Sequence, residues 1–141
     1  MKIFLLIMIG ISFLQAEFIR TDINATAGVV LDTTTNLMWQ DDNEAKSITQ
    51  TWSNAISYCE DKTLGGYDDW RLANFNELYM LADRSQYQPA LSSVFQNLDN
   101  VTYWTSTTYA GDTSYAWGVY FYDGDDGWHD KTDTFYVRCV R

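Results

Sequence analysis

The chain has 141 residues, of which 19 are acidic and 9 basic, so its formal net charge is −10 at pH 7. This charge repels phosphate and sulfate groups, which argues against nucleic acids and sulfated polysaccharides as partners. Aromatic residues make up 16% of the chain, a content that disordered acidic chains lack. We therefore expect one folded domain with an acidic surface.

The first 16 residues have the layout of a secretory signal peptide. Lys2 gives a positive start, an apolar run covers residues 3–14, and Ala16 is a small residue at the cleavage position. The run is shorter than the roughly 20 apolar residues that span a bilayer, although an uncleaved anchor is the alternative. We expect a single secreted, periplasmic or cell-surface domain of residues 17–141, without a stable membrane span.

The chain has two cysteines, Cys59 and Cys139. In an exported protein a single pair suggests one disulfide, and two free buried thiols are the alternative. The bridge would close a loop of about 80 residues, which the chain-entropy model values at roughly 4–5 kcal/mol.

Residues 28–40 contain two apolar runs around a centre rich in threonine and asparagine. This pattern predicts a β-hairpin in which Asn36 adopts a left-handed conformation. Apolar residues at helical spacing follow, namely Trp52, Ala55, Ile56 and Cys59. They predict a first helix with Cys59 on its buried side.

A second helix is predicted to start at Phe75, because Asn74 and Glu77 have the spacing of a capping box. Its expected buried residues are Leu78, Leu81 and Ala82. Residues 83–100 show no clear period and predict an irregular segment. The side chains expected to anchor that segment in the core are Leu91, Val94 and Phe95.

From Tyr103 onward the apolar period becomes two, as in strands. One face should carry Trp117, Val119 and Phe121 toward the core, and the other Gly118, Tyr120 and Tyr122. Asp123 and Gly124 predict a hairpin turn, and a last strand at residues 135–140 carries Cys139 back to the first helix. The order of elements predicts an α+β fold with both ends of the chain in one sheet.

Six segments occur in the order and spacing of the Lcl C-terminal domain family, which the chain resembles from Gly28 to Arg141. They are TTTNLMWQ, TWSNAISYC, LGGYDDWRLANFNEL, YWTSTTYAG, AWGVYFYDG and YVRCVR. Asn36 replaces the family's usual glycine and Ala73 its usual proline, and both residues suit the fold. The resemblance implies a fold similar to the C-type lectin-like domain and to formylglycine-generating enzymes, with two helices on small antiparallel sheets and long loops. It also implies a disulfide between the first helix and the last strand, where Cys59 and Cys139 lie, and an adhesive binding function.

The sequence offers little for catalysis. The single histidine, His129, precedes Asp130, but adjacent strand residues point to opposite faces, so the pair is poorly arranged as base and orienting group. We expect His129 to be an exposed hairpin residue. Formylglycine-type oxidation would need a reactive thiol. We therefore predict that the protein is not an enzyme.

A calcium site is the other alternative. Residues 123–127 resemble the opening of a calcium loop, but Gly127 stands where an EF-hand needs an acidic or amide side chain, and Thr134 where it needs glutamate. The sequence Gln88-Pro89-Ala90 also lacks the carboxylate of the lectin-type calcium motif. We expect a solvated acidic turn and no cofactor. A bacterial glycosylation pattern around Asn24 is short enough to arise by chance.

Tyrosine and tryptophan mixed with Asp, Ser and Thr in the C-terminal segment form a composition typical of paratopes. We predict an exported module that binds a protein or a glycan through this surface. The candidate ligand-binding residues are Tyr109, Tyr115, Tyr120, Tyr122, Asp123, Asp125, Trp128 and His129. Two alternatives are that loops cover these rings, or that the face docks permanently to a partner chain. A formylglycine-related enzyme is the third.

Overall fold

The computed structural model describes residues 17–20 and 28–141. The predicted signal peptide and the pattern around Asn24 lie outside the described residues. Within them, neither helix has the length and apolar character that crossing a membrane requires.

Two helices and two five-stranded sheets form the domain. The helices are α1 (Trp52–Glu60) and α2 (Phe75–Leu81). The strands are β1 (Phe18–Arg20), β2 (Val29–Asp32), β3 (Leu37–Gln40), β4 (Thr49–Gln50), β5 (Arg71–Leu72), β6 (Thr102–Thr108), β7 (Tyr115–Tyr120), β8 (Asp125–Asp130), β9 (Phe135–Tyr136) and β10 (Cys139–Val140). The predicted α+β class is confirmed, whereas the likeness to lectin-like domains stays a prediction.

The first sheet has the order β1-β2-β3-β10-β5, so the beginning and the end of the described chain share it, as predicted. The second sheet has the order β4-β9-β6-β7-β8. The strands pair antiparallel, as predicted, except that β6 and β9 pair in parallel at Tyr103 and Tyr136. This parallel pairing is short because β9 has only two residues.

The predicted last strand at residues 135–140 is wrong, because the chain crosses between the sheets at the buried residues Val137 and Arg138, so that β9 lies in the second sheet and β10 in the first. The other local elements named here are confirmed. The hairpin of β2 and β3 turns at Asn36, which has a φ of 59°. Helix α2 starts with a complete capping box, in which the Glu77 N–H donates to Asn74 Oδ1 and the Asn74 N–H donates to Glu77 Oε1, both at 2.9 Å. Arg71 adds two hydrogen bonds of 2.7 Å to the Glu77 carboxylate.

Cys59 on α1 and Cys139 on β10 form a disulfide with a Cα–Cα distance of 5.5 Å. Both residues are fully buried. The predicted pairing is therefore confirmed, and the alternative of two free thiols is wrong. The bond ties the first helix to β10, which lies between β3 and β5 in the first sheet.

The two core clusters lie on opposite faces of the second sheet. On one face, Tyr103 and Val119 pack with Leu78 of α2. On the other face, Trp104 packs with Cys59 of α1. Consecutive β6 residues enter different clusters because successive strand side chains point to opposite faces. The β6–β7 pair is thus held between the two helices.

The segment 83–100 is irregular, as predicted. Leu91 and Phe95 are buried and Val94 is partly buried. The segment is also held by a polar contact that the sequence patterns did not indicate. The backbone N–H groups of Gln96 and Asn97 donate to the buried carboxylate of Asp41, at 2.8 and 3.0 Å.

Candidate functional site

Most of the predicted ligand-binding residues lie on the hairpin of β7 and β8. Its register runs from Tyr115 opposite Asp130 to Tyr120 opposite Asp125. The turn between the strands contains Gly124 with a φ of 86°, which confirms the predicted hairpin turn. Strand β8 is the edge of its sheet.

Three aromatic rings, which we name the Trp128 cluster, pack together on one face of this hairpin. Trp128 and Tyr109 are stacked, with ring centroids 4.6 Å apart and planes 6° from parallel. Trp117 meets both rings edge-on, with centroids 5.5 Å from Trp128 and 5.4 Å from Tyr109. On its other side Trp117 contacts Phe75 of α2, at 5.1 Å. The cluster therefore connects a surface ring to a core helix.

Trp128 is 51% exposed although it is held by these contacts. Trp117 is only partly buried, which corrects its predicted place in the core. The reason is that Trp117 packs between α2 and the Trp128–Tyr109 stack rather than under a second layer. Tyr115 shares the face of Trp117 at the start of β7, and its carbonyl accepts a hydrogen bond from the Tyr109 N–H at 2.9 Å.

A second aromatic group lies near the tip of the hairpin. The rings of Tyr120 and Tyr122 are stacked with centroids 5.8 Å apart, and the centroid of the Tyr87 ring lies 6.4 Å from that of Tyr122. Tyr87 is 70% exposed. Sequence reasoning missed Tyr87 because it belongs to the irregular segment, where no period marks which side chains face outward.

The acidic turn beside this group is organised locally. The Asp125 N–H donates to Asp123 Oδ1 at 3.0 Å, and both side chains are exposed. Across the described chain, no three His, Cys, Asp or Glu side chains come together as metal ligands.

His129 is not the exposed hairpin residue that the sequence predicted. Its ring lies 4.4 Å from Phe135 and 6.1 Å from Trp104. Burial lowers its pKa, and the opposing charge of Asp133 only partly offsets this. The ring fits inward because its cross-strand neighbour is the small Ala116.

The predicted residues do not meet at one place. Alternation along β8 puts Asp126, Trp128 and Asp130 on one face. The other face carries Asp125 and His129. Tyr109 and Trp128 therefore belong to one surface, whereas His129 belongs to the α1-side core.

The surface around Trp128 is acidic. Residues 123–130 include four aspartates and neither lysine nor arginine. Hydrogen bonds from the Thr132 N–H and hydroxyl, at 2.9 and 2.8 Å, lower the pKa of Asp130, while slight desolvation and the nearby Asp112 act in the opposite direction. Asp130 thus stays ionised at neutral pH.

A polar cleft of about 570 Å³ lies along α1, far from this hairpin in sequence. There the Tyr58 hydroxyl donates to Glu44 Oε2 at 2.5 Å, and Lys62 donates to the Tyr58 oxygen at 3.1 Å. Burial, followed by the Glu44 contact, raises the pKa of Tyr58 to about 12. Tyr58 is therefore protonated at neutral pH and is not poised as a base.

Together these features define a small disulfide-linked α+β domain that displays an ordered aromatic surface. The Lcl C-terminal domain family matches residues 28–141, and the chain belongs to this family. The sequence matches no curated protein.

Proposed function

We propose that this protein is an exported, non-enzymatic binding module that recognises a protein or a glycan through the face of the β7–β8 hairpin that carries the Trp128 cluster. The observation that carries the proposal is the 51% exposure of Trp128 while its ring is stacked on Tyr109. Large aromatic side chains of this kind are the residues that most often dominate binding energy at interfaces.

The contacts that hold Trp128 in place favour a role in ligand recognition. Trp128 loses little freedom on binding, because Tyr109 and Trp117 already hold its ring. A preorganised contact residue lowers the entropic cost of association. The packing of Trp117 on Phe75 links the cluster to α2, and the Cys59–Cys139 disulfide adds rigidity to the domain as a whole.

Two observations support the absence of catalysis and the export of the protein. Both thiols are consumed by the disulfide, so no cysteine is available for formylglycine-type oxidation. His129 is packed against Phe135 and Trp104 rather than beside a nucleophile. A structural disulfide is typical of secreted and periplasmic proteins.

The experiment is to screen the purified protein on an array of oligosaccharides and tiled peptides. Trp128→Ala should abolish retention of the bound probe and leave the fold intact, as judged by circular dichroism and melting. Tyr67→Ala is the matched control, because Tyr67 is also a surface aromatic, 39% exposed, but lies outside the hairpin. Absence of any bound probe, or equal binding by Trp128→Ala, would overturn the proposal.

Permanent docking to a partner chain is the second candidate, and the position of β8 at the edge of its sheet favours it. Light scattering after size exclusion separates the two candidates. A monomer that binds a probe through Trp128 supports the recognition module. A stable oligomer in which Trp128 is shielded from a fluorescence quencher supports the structural subunit instead.

A further inference from the structure

Strand β8 has an open edge. It pairs with β7 along six consecutive residues, and its outer side pairs with no other strand in the described ranges 17–20 and 28–141. The strand contains no proline and is long enough to accept an added strand. Extended peptides bind proteins by adding to such an edge through backbone hydrogen bonds.

The negative charge of β8 restricts which segments can pair with its open edge. Charged side chains on an edge strand normally prevent self-association. Here Asp125, Asp126 and Asp130 are all negative, so two copies of β8 would repel each other. The same charges attract a segment of opposite sign. The charges therefore disfavour a second copy of this chain at the edge and favour a cationic segment.

The side chains on one face of β8 also favour a cationic ligand. Asp126, Trp128 and Asp130 follow one another at two-residue spacing, which is about 7 Å per step in a strand. Trp128 is thus flanked by a carboxylate on each side. A cation above the indole ring would be attracted by the ring and by both carboxylates. Arginine suits this position best because its planar guanidinium stacks on aromatic rings.

The lysine that follows Asp130 in the sequence is already engaged. Lys131 lies over the Trp52 ring at 3.9 Å and donates to Thr108 Oγ1 at 2.8 Å. In the described part of the chain, neither Asp126 nor Asp130 forms an ion pair. Within the described residues, the two carboxylates are therefore available to pair with a cation of a partner.

We propose that β8 binds an extended protein segment in which arginine or lysine alternates with other residues, and that one of its cations lies over Trp128 between Asp126 and Asp130. This rests on the proposed function and names the chemical class of its ligand. A neutral glycan is the competing ligand, since sugars also stack on tryptophan, but it would use neither the two flanking charges nor the open strand edge.

The test is calorimetric titration of the protein with four probes: a peptide of alternating arginine and threonine, a peptide of the same composition with its arginines grouped at one end, a peptide of alternating glutamate and threonine, and the neutral tetrasaccharide of chitin. We expect the alternating cationic peptide to bind tightest. Binding should weaken strongly at about 1 M salt, where the Debye length is about 3 Å. Amide exchange of the β8 backbone should slow only with this peptide.

Variants locate the contact. The Asp126→Asn/Asp130→Asn pair keeps the hydrogen-bond acceptors and removes the charges, and Trp128→Ala removes the ring. Each change should weaken the cationic peptide about tenfold, the size expected for a cation–π contact or a pair of solvent-accessible charges. The pair Asp61→Asn/Asp68→Asn is the control, since these exposed aspartates lie outside the hairpin, and it should change affinity less than about twofold.

Equal affinity for the two arginine peptides, or insensitivity to the Asp126→Asn/Asp130→Asn pair, would overturn the strand-addition proposal. Trp128-dependent binding of the tetrasaccharide, without binding of the cationic peptides, would overturn it as well and leave the proposed binding function standing. Failure of the proposed function is a separate result, because it requires that no array probe binds through Trp128.

Discussion

The guanidinium of Arg138 lies 3.2 Å from Oδ1 of Asp41, and neither side chain is exposed to solvent. Arg138 also donates to the backbone carbonyls of Gln40 and Asn97. Arg20 approaches the second carboxylate oxygen of Asp41. The pair therefore joins the end of β3, the irregular segment and the approach to β10, which are distant in sequence.

Replacing Arg138 with methionine should unfold the protein at markedly lower denaturant. Methionine fills similar space but leaves the buried Asp41 carboxylate with one cation fewer, and breaking a buried pair from one side costs about 3–5 kcal/mol. Urea unfolding at pH 7 measures the change. Arg71→Met is the control, because the Arg71–Glu77 pair is partly exposed and is expected to contribute at most about 1 kcal/mol. Equal losses in both variants would contradict the prediction.

Removing the disulfide should lower stability by up to roughly 4–5 kcal/mol, because the bond closes a long loop and limits the unfolded chain. The bridged residues are 80 positions apart. The variant Cys59→Ala/Cys139→Ala should melt at lower temperature than the oxidised protein. Reductant should lower the melting temperature of the unmodified protein and leave that of the variant unchanged. A melting temperature unaffected by both treatments would show that the bond adds no stability.

The cap of α2 offers a local prediction. Asn74→Ala removes the acceptor for the Glu77 N–H, and the loss of such a cap costs about 1 kcal/mol. Asn76→Ala is the matched control, since Asn76 is exposed in the first turn of the same helix and is not its cap. Thermal melting of the two variants gives the comparison. A loss in Asn76→Ala as large as that in Asn74→Ala would rule out the cap as the cause.

The His129 imidazole should titrate below its ordinary pKa of 6.5, because burial disfavours the charged ring. The unfolded chain then binds the proton first as the pH falls, so stability decreases from about pH 6.5 down to the folded-state pKa and levels off below it. Proton NMR can follow the ring directly, since the chain has one histidine. His129→Gln should flatten this part of the stability curve. A measured pKa at or above 6.5 would refute the buried environment.

Local patterns were sufficient for the elements whose causes are local. Asn74 and Glu77 are three residues apart, and their reciprocal bonds need nothing beyond the first turn of α2. Asn36 lies in a tight turn between two paired strands, where its own backbone conformation decides the geometry. The Cys59–Cys139 pairing followed from there being two cysteines in all.

The amino-acid sequence by itself determined the helices, the hairpins, the disulfide and the acidic charge, since each follows from neighbouring residues or from composition. Only the tertiary structure decided that His129 turns inward, that Trp117 supports Trp128 rather than filling the core, and that Asp41 meets Arg138 across 97 positions. Alternation assigns a strand residue to a face, but whether that face is exposed depends on what packs against it. In this protein the packing elements are α1, α2 and the irregular segment, which the chain brings to the sheets from far away in sequence.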